Sequence, residues 1–389
     1  MPHASIAIVG AGLGGLVLAR VLQQHGVAAI VYEADPAQGS RVQGGVLDIH
    51  EDSGQLALRA AGLHEAFLGL THPQGEALRV LDKTGAVRID LAPQAGGGRP
   101  EIDRTALRDL LVSSLDPGAI MWGHKLAAVS PLGGGRHRLT FADGSGASTD
   151  LLLGADGAWS KVRPLLTAAT PAYCGISYLE MRLSNVRERH PAAAALVGPG
   201  VFFALSDNKA LMGHGGRQIH LGAAFRAPPD WISTRGVDWS DAPAAREALL
   251  EAFADWSPDL TDLIRHCDDE IVPRLIHALP IGHRWERAPG VSLLGDAAHL
   301  MSPFAGEGAN MAMFDALELA MALIEGGDDV EAALGRYEAA MFDRSAAAAQ
   351  ASSQGLDLCF AADAPRGMVE FFSGLGSAAD RPHSSGPAA

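Results

Sequence analysis

Gly10-Ala11-Gly12-Leu13-Gly14-Gly15 has the spacing G-x-G-x-x-G, and Glu33 follows near the interval at which an acid meets a nucleotide ribose. Glycines in this pattern let the backbone approach a pyrophosphate, helix N-terminal amides meet its charge, and the acid accepts a ribose hydroxyl. The motif has this meaning only between a strand and a helix. Here an apolar run over residues 4–9 precedes it, residues 13–25 carry helical spacing through Leu16, Leu18, Val21 and Leu22, and residues 28–32 return as an apolar strand. That order implies a parallel pair of strands joined by a helix. NAD and FAD satisfy the pattern equally. Two further acid and glycine pairs occur downstream: Asp156-Gly157 within LLLGADGAWSKVR (151–163), and Gly295-Asp296 opening a stretch that runs through Pro303, Gly306 and Gly308 to Asn310.

The elements that must position these residues are of two kinds. Residues 78–81 and 87–91 flank a Lys83-Thr84-Gly85 turn, and residues 136–141 precede Asp143-Gly144, both antiparallel signals. Asp103 is placed to cap a helix through Leu107, Leu110 and Leu111, which returns the chain to the first lobe. Residues 173–185 and 201–225 read as strands of a second sheet, so the second lobe is inserted. Residues 291–294 form a buried strand leading to helices over 309–324 and from 330 to about 355, and the Ser/Gly/Pro/Ala mixture of 376–389 predicts a disordered tail.

Composition narrows the classes. A chain of 389 residues with 48% hydrophobic content suits a two-lobed enzyme, and a net charge of −15 opposes nucleic acid and anionic membrane as partners. The three cysteines, Cys174, Cys267 and Cys359, lie far apart and suggest neither disulfides nor a thiolate metal site. No H-E-x-x-H spacing favours a metal, no G-x-S-x-G turn favours a hydrolase, and no run approaches a membrane span. These features predict a cytoplasmic protein, a monomer in the absence of heptad or edge-strand signals.

Taken with the DG and GD segments, the chain resembles the class A FAD-dependent monooxygenases of the para-hydroxybenzoate-hydroxylase type. Those enzymes carry the N-terminal glycine fingerprint, a DG motif, and a GD motif continuing into P-x-x-G-x-G-x-N. Within that class it is most similar to the tetracycline-inactivating flavin monooxygenases, through GGVLDIHEDSGQ (44–55), EIDRTALR (101–108), SKVR (160–163) and GDAAHLMSPFAGEGAN (295–310). The resemblance implies an α/β fold, a Rossmann-like FAD-binding domain with an inserted mixed β-sheet substrate domain and a long C-terminal helix. Its expected boundaries are 1–75, 95–170 and 272–328 for the FAD-binding domain, 76–94 and 171–271 for the substrate domain, 329–375 for a helical segment, and 376–389 for the tail. It implies FAD contacts at Gly10, Gly12, Gly15, Glu33, Asp48, Arg104, Asp156, Asp296, Pro303, Gly306, Gly308 and Asn310, with Arg41 a candidate for the nicotinamide nucleotide. Asp296 suits a ribityl hydroxyl, and the helix opening near Gly306 to Asn310 suits negative charge on a reduced flavin. NADPH or NADH visits transiently, because Gly213-His214-Gly215-Gly216 is followed by no helix and offers no second fingerprint.

On the substrate side, the resemblance implies Glu180, His220 and Gly222 on a sheet, with Phe304 and Phe360 as an apolar wall; no catalytic side chain is assigned. His220 and Gly222 match the drug-inactivating enzymes, but Glu180 stands where they carry Gln, Ala210 where they carry Arg, and Ala224 where they carry Ser. Losing a charge-assisted hydrogen bond at position 210 and exchanging a neutral amide for a carboxylate at position 180 each shift recognition by ~1.5–3 kcal/mol. The expected reaction is NAD(P)H- and O2-dependent hydroxylation of a phenolic, enolic or polyketide-like molecule through a flavin C4a-hydroperoxide, tetracyclines being among the candidates. Alternatives are a flavoprotein that binds a small molecule without turnover, a halogenase (whose W-x-W-x-I-P signature is missing) and a dehydrogenase, which leaves the DG and GD segments unexplained.

Overall fold

A computed structural model describes residues 3–40, 44–72, 77–92, 98–327 and 329–379. The chain divides into two compact units: Met1–Glu76, Gln94–Cys174 and Ile276–Gln354 form one, and Ala77–Pro93, Gly175–Leu275 and Gly355–Ala389 the other.

The first unit is built on a seven-stranded sheet whose central strand, Gly146–Gly154, branches. Along its first half it pairs antiparallel with Arg136–Phe141, and along its second half parallel with Val291–Leu293, while His3–Val9 runs parallel along its other edge. Ile30–Tyr32 and Ile120–Met121 extend the sheet beyond His3–Val9. Leu151, Leu152 and Leu153 are all buried, the unbroken apolar run of a strand covered on both faces. The helix Leu13–Gln24 buries Leu16, Val17, Leu18, Val21 and Leu22 in the same core as Leu319 and Leu323 of the helix Gly308–Gly326. Val9, Gly154 and Leu293 are register partners in one row across three parallel strands. The glycine fingerprint, the DG segment and the GD segment therefore leave the sheet side by side at its carboxyl edge, where open α/β sheets bind ligands.

The second unit carries another seven-stranded sheet, in the order Val272–Ala278, Ala172–Leu183, Ile219–Arg226, Lys209–His214, Val201–Ser206, Leu78–Leu81, Val87–Leu91. Alternate residues, among them Leu179, Met181, Leu221 and Ala223, pack into one core with Leu249 and Leu263 of the helices Ala242–Ala252 and Pro258–Arg265. The opposite face presents Tyr178, Glu180, Arg182 and His220.

One local expectation changes. Asp103 occupies the position before the helix Arg104–Ser113 but does not cap it; its carboxylate instead meets His72 Nε2 at 3.2 Å. The boundary between the units falls within the helix Val330–Cys359, after Gln354. The helix Arg366–Ala379 follows it. Residues 380–389 and Arg41 lie outside the described residues. No helix among the described residues is long and apolar enough to cross a membrane.

Candidate functional site

The three parallel strand ends of the first unit open onto a cavity of about 840 Å3, within the range of small-molecule and cofactor sites. Its lining includes Gly10, Gly12, Gly15 and Glu33 from the first motif, Asp156 from the DG segment, and Asp296, Pro303, Gly306 and Gly308 from the GD segment, together with Asp48 and Arg104.

The fingerprint glycines do different things. A Cβ on Gly10 would stand 2.4 Å from the Ala155 carbonyl oxygen, and one on Gly15 would stand 2.1 Å from that of Gly10, so both permit close packing of protein on protein. Gly10 also has φ +105°, a conformation costly for any L side chain. Gly12 meets nothing within 4 Å among the described residues and faces the cavity, so that there, unlike at Gly10, Gly14 and Gly15, a side chain would fill ligand space rather than strike the protein.

Glu33 is held from both sides: Oε2 accepts from the Ala11 amide at 2.5 Å and Oε1 from the Asp35 amide at 2.8 Å. Arg108, 3% exposed, donates from Nε to the Ala11 carbonyl at 3.1 Å and pairs with Asp35 at 3.2 Å. It lies in the EIDRTALR stretch yet was not singled out, because a sequence does not show which backbone carbonyl an arginine will meet. Asp156 accepts from Ser160 Oγ at 2.6 Å and from the Lys161 amide at 2.6 Å, which closes the DG turn on itself; burial nevertheless pushes its carboxyl up. Arg163, at the end of SKVR, donates to the carbonyls of Ala297 (2.7 Å), Ala158 (2.9 Å) and Asp296 (2.9 Å), and so ties the DG loop to the GD loop.

Burial would raise the Asp48 carboxyl, but the His50 imidazole 2.9 Å away and the Arg99 guanidinium outweigh it and hold it below the usual carboxylate range. Asp296 differs. Burial pushes it up against the charges of His299, Arg104 and Arg163, and no side chain or amide among the described residues hydrogen-bonds its carboxylate. A carboxylate on a cavity wall that lacks a protein donor matches a ligand hydroxyl. Gly308 opens the helix Gly308–Gly326 onto the cavity, with nothing among the described residues within 4 Å of its Cβ position, so the helix's positive end faces the same space. Asn310 is not on the wall: it is fully buried, accepting from the His50 amide and donating to the Asp48 carbonyl, both at 2.9 Å, which fixes the segment carrying Asp48. Trp159, 62% exposed and edge-on to His277, and Lys161 also line the cavity and were not anticipated.

In the second unit, Glu180 and Gly222 are register partners, with His220 in the next row of the same face. Glu180 accepts from Arg274 Nε at 2.6 Å, and the Gln218 amide nitrogen lies 3.0 Å from His220 Nε2. Gly222 offers no free space: a Cβ there would stand 2.0 Å from the Tyr178 hydroxyl, so the Tyr178 phenol covers it. Tyr178 and Arg274 are contributions that composition and spacing did not reveal. Phe360 is 1% exposed, and its carbonyl accepts from Arg226; Phe304, on the turn Pro303–Ala305, is half-buried and outside the cavity lining.

A cavity of this size at the carboxyl edge of a parallel sheet, with an open glycine, a carboxylate lacking a protein donor among the described residues and a helix terminus on its wall, is the arrangement of a nucleotide-cofactor-binding protein. The FAD-binding-domain family model matches residues 3–202 and 282–352. Monooxygenase asqM of Emericella nidulans is 34% identical over 91% of this chain and 95% of its own length. The structure of Klebsiella pneumoniae HpxO complexed with FAD and uric acid is 22% identical, covers 97% of this chain and 93% of that one, and superposes with a TM-score of 0.78. Tetracycline destructase Tet(55) is 19% identical, covers 100% of both chains and has a TM-score of 0.73. The chain belongs to the FAD-binding-domain family and is an FAD-dependent monooxygenase of the class its motifs resemble.

Proposed function

We propose that this enzyme uses NADPH or NADH and O2 to hydroxylate a small phenolic, enolic or polyketide-like molecule, FAD lying along the cavity of the first unit. The observation that carries the reading is the shared row of Val9, Gly154 and Leu293, which delivers all three motifs to one cavity. Bound there, FAD supplies the two-electron and oxygen-activating chemistry that no amino-acid side chain provides. The chain's own residues bind and orient. Gly12 admits the pyrophosphate, Glu33 receives the ribose, Asp296 and Asp48 receive ribityl-side hydroxyls, and Arg104 contributes positive charge. The helix beginning at Gly308 stabilises negative charge on the reduced ring system.

On the sheet of the second unit, Tyr178, Glu180 with Arg274, and His220 present hydroxyl, carboxylate, guanidinium and imidazole groups on the face opposite the core. That set suits a substrate bearing several oxygens. A tetracycline fits the description, as its inactivation by structurally similar proteins suggests, but so does a simpler phenol or a fungal-type polyketide. The test is mass spectrometry of products from tetracyclines, anthracycline-like polyketides and simple phenols, with NADPH or NADH under 18O2. The reading requires a product carrying one 18O and NAD(P)H consumption that depends on substrate. A yellow, FAD-loaded protein that incorporates no label across the panel would reduce it to a binding protein.

A further inference from the structure

Behind the cavity wall, and used by none of the roles above, lies a buried charge network. Asp315, 0% exposed on the helix Gly308–Gly326, places a single oxygen, Oδ2, between the Gly295 amide (3.0 Å) and His299 Nε2 (2.5 Å). Gly295 and His299 bracket the one-turn helix Asp296–His299, so one carboxylate oxygen fastens both ends of the turn that presents Asp296. The other oxygen accepts from Arg344 at 2.9 Å, and Arg344 also pairs with Glu318 at 2.6 Å. His299 is 7% exposed, and its second ring nitrogen, Nδ1, is buried with no hydrogen-bond partner among the described residues.

We propose that His299 is a positioning residue that carries a positive charge behind Asp296 and thereby makes retention of FAD depend on pH. The chemistry is that of a buried carboxylate, which accepts a hydroxyl only while ionised and which desolvation drives toward protonation. Three cations oppose that at Asp296: His299, Arg104 and Arg163. The two arginines stay charged at any working pH, so His299 alone can withdraw its support. Burial by itself would strip the His299 proton, but the Asp315 charge and hydrogen bond, with Asp296 beyond, hold the imidazole above its ordinary value. Asp315 is in turn kept below the usual carboxylate range against its burial by His299 and Arg344. The groups facing His299 are thus Asp315 from the neighbouring helix and Asp296 from its own turn, with Arg344 and Glu318 one contact further. Because the folded value is raised, the support is complete below the ordinary imidazole pKa and is lost as pH rises through the raised one.

The inference rests on Asp296 touching FAD, and the test separates the two. Apoprotein is titrated with FAD by flavin-fluorescence quenching from about pH 6, near the ordinary imidazole value, up to the most alkaline pH at which the protein stays folded. For the wild type, the FAD dissociation constant should rise about tenfold across the alkaline part, the size expected for losing one neighbouring charge. H299Q should bind more weakly at low pH and show no alkaline rise. D315N should keep the rise but move it to lower pH, an effect that loss of packing does not produce and that His124, also on the cavity wall, cannot mimic. D296N should bind weakly at every pH. A wild-type profile flat to the alkaline end, or an H299Q variant that retains the rise, overturns the role of His299. D296N binding FAD as the wild type does instead overturns the Asp296 contact itself. Should a variant not fold, the wild-type profile alone decides, since a flat one is sufficient to reject the idea.

Discussion

The cavity of the first unit and the open sheet face of the second hold their functional groups by opposite means. In the cavity, the decisive features are backbone ones: strand ends in register, an uncovered glycine and a helix terminus, with arginines spent on carbonyls. On the sheet face they are side chains paired with one another, Glu180 with Arg274, His220 with Gln218 and Tyr178 over Gly222. Backbone features of this kind tolerate little change. A face made of paired side chains can be rewritten one residue at a time, which fits a family whose members differ in what they oxidise.

The comparison can be broken most sharply at the fingerprint. Gly10→Val introduces both a positive-φ side chain and a clash with Ala155, and should destabilise the fold by on the order of 3 kcal/mol or more, read as lost Tm and soluble yield. Gly12→Val should leave Tm of the apoprotein nearly unchanged while abolishing measurable FAD binding. Equal destabilisation by both would show that the cavity is not a ligand cradle. Next in size, Arg163→Ala removes donors to three carbonyls on two motif loops and should cost about 3 kcal/mol by denaturant unfolding, with weaker FAD binding. Lysine there should restore only part of it, since one ammonium cannot reproduce the planar fork.

On the sheet face the expected effects are smaller and fall on the substrate rather than the cofactor. Gly222→Ala must displace the Tyr178 ring; it should raise KM for the best substrate several-fold while leaving the FAD dissociation constant within a factor of about two. A matching loss of FAD affinity would mean that the face is structural. Smallest of all, Glu180→Gln breaks a half-exposed ion pair worth at most about 1 kcal/mol to stability, so its signature should be a changed order of preference among the substrate panel, with Tm held.

The same contrast explains what the residues alone made legible. The fingerprint, the DG and GD pairs and the helix after them are local patterns, and residues of each line the cavity, with Asn310 off its wall. That residue is one step behind the wall because an amide side chain with two backbone partners 260 residues away is a tertiary event. Arg108, Arg163, Tyr178, Arg274 and the His299 network escaped notice for that reason: each acts on a partner set by folding, not by spacing. The Asp103 cap failed likewise, its carboxylate drawn to His72 by the bridge that brings residue 72 against the neighbouring strand.

The branched strand Gly146–Gly154 has a bearing on how such a chain can be lengthened. Residues before its midpoint belong to a hairpin whose Asp143-Gly144 tip is free to accept extra residues, whereas those after it set the height at which the DG turn emerges relative to its two neighbours. One residue added between Asp150 and Asp156 would lift that turn by about 3.3 Å and invert which side chains face inward. Inserted sequence should therefore be accepted at the hairpin tip and rejected a few positions later on the same strand, making the strand a ruler with one loose end and one fixed end.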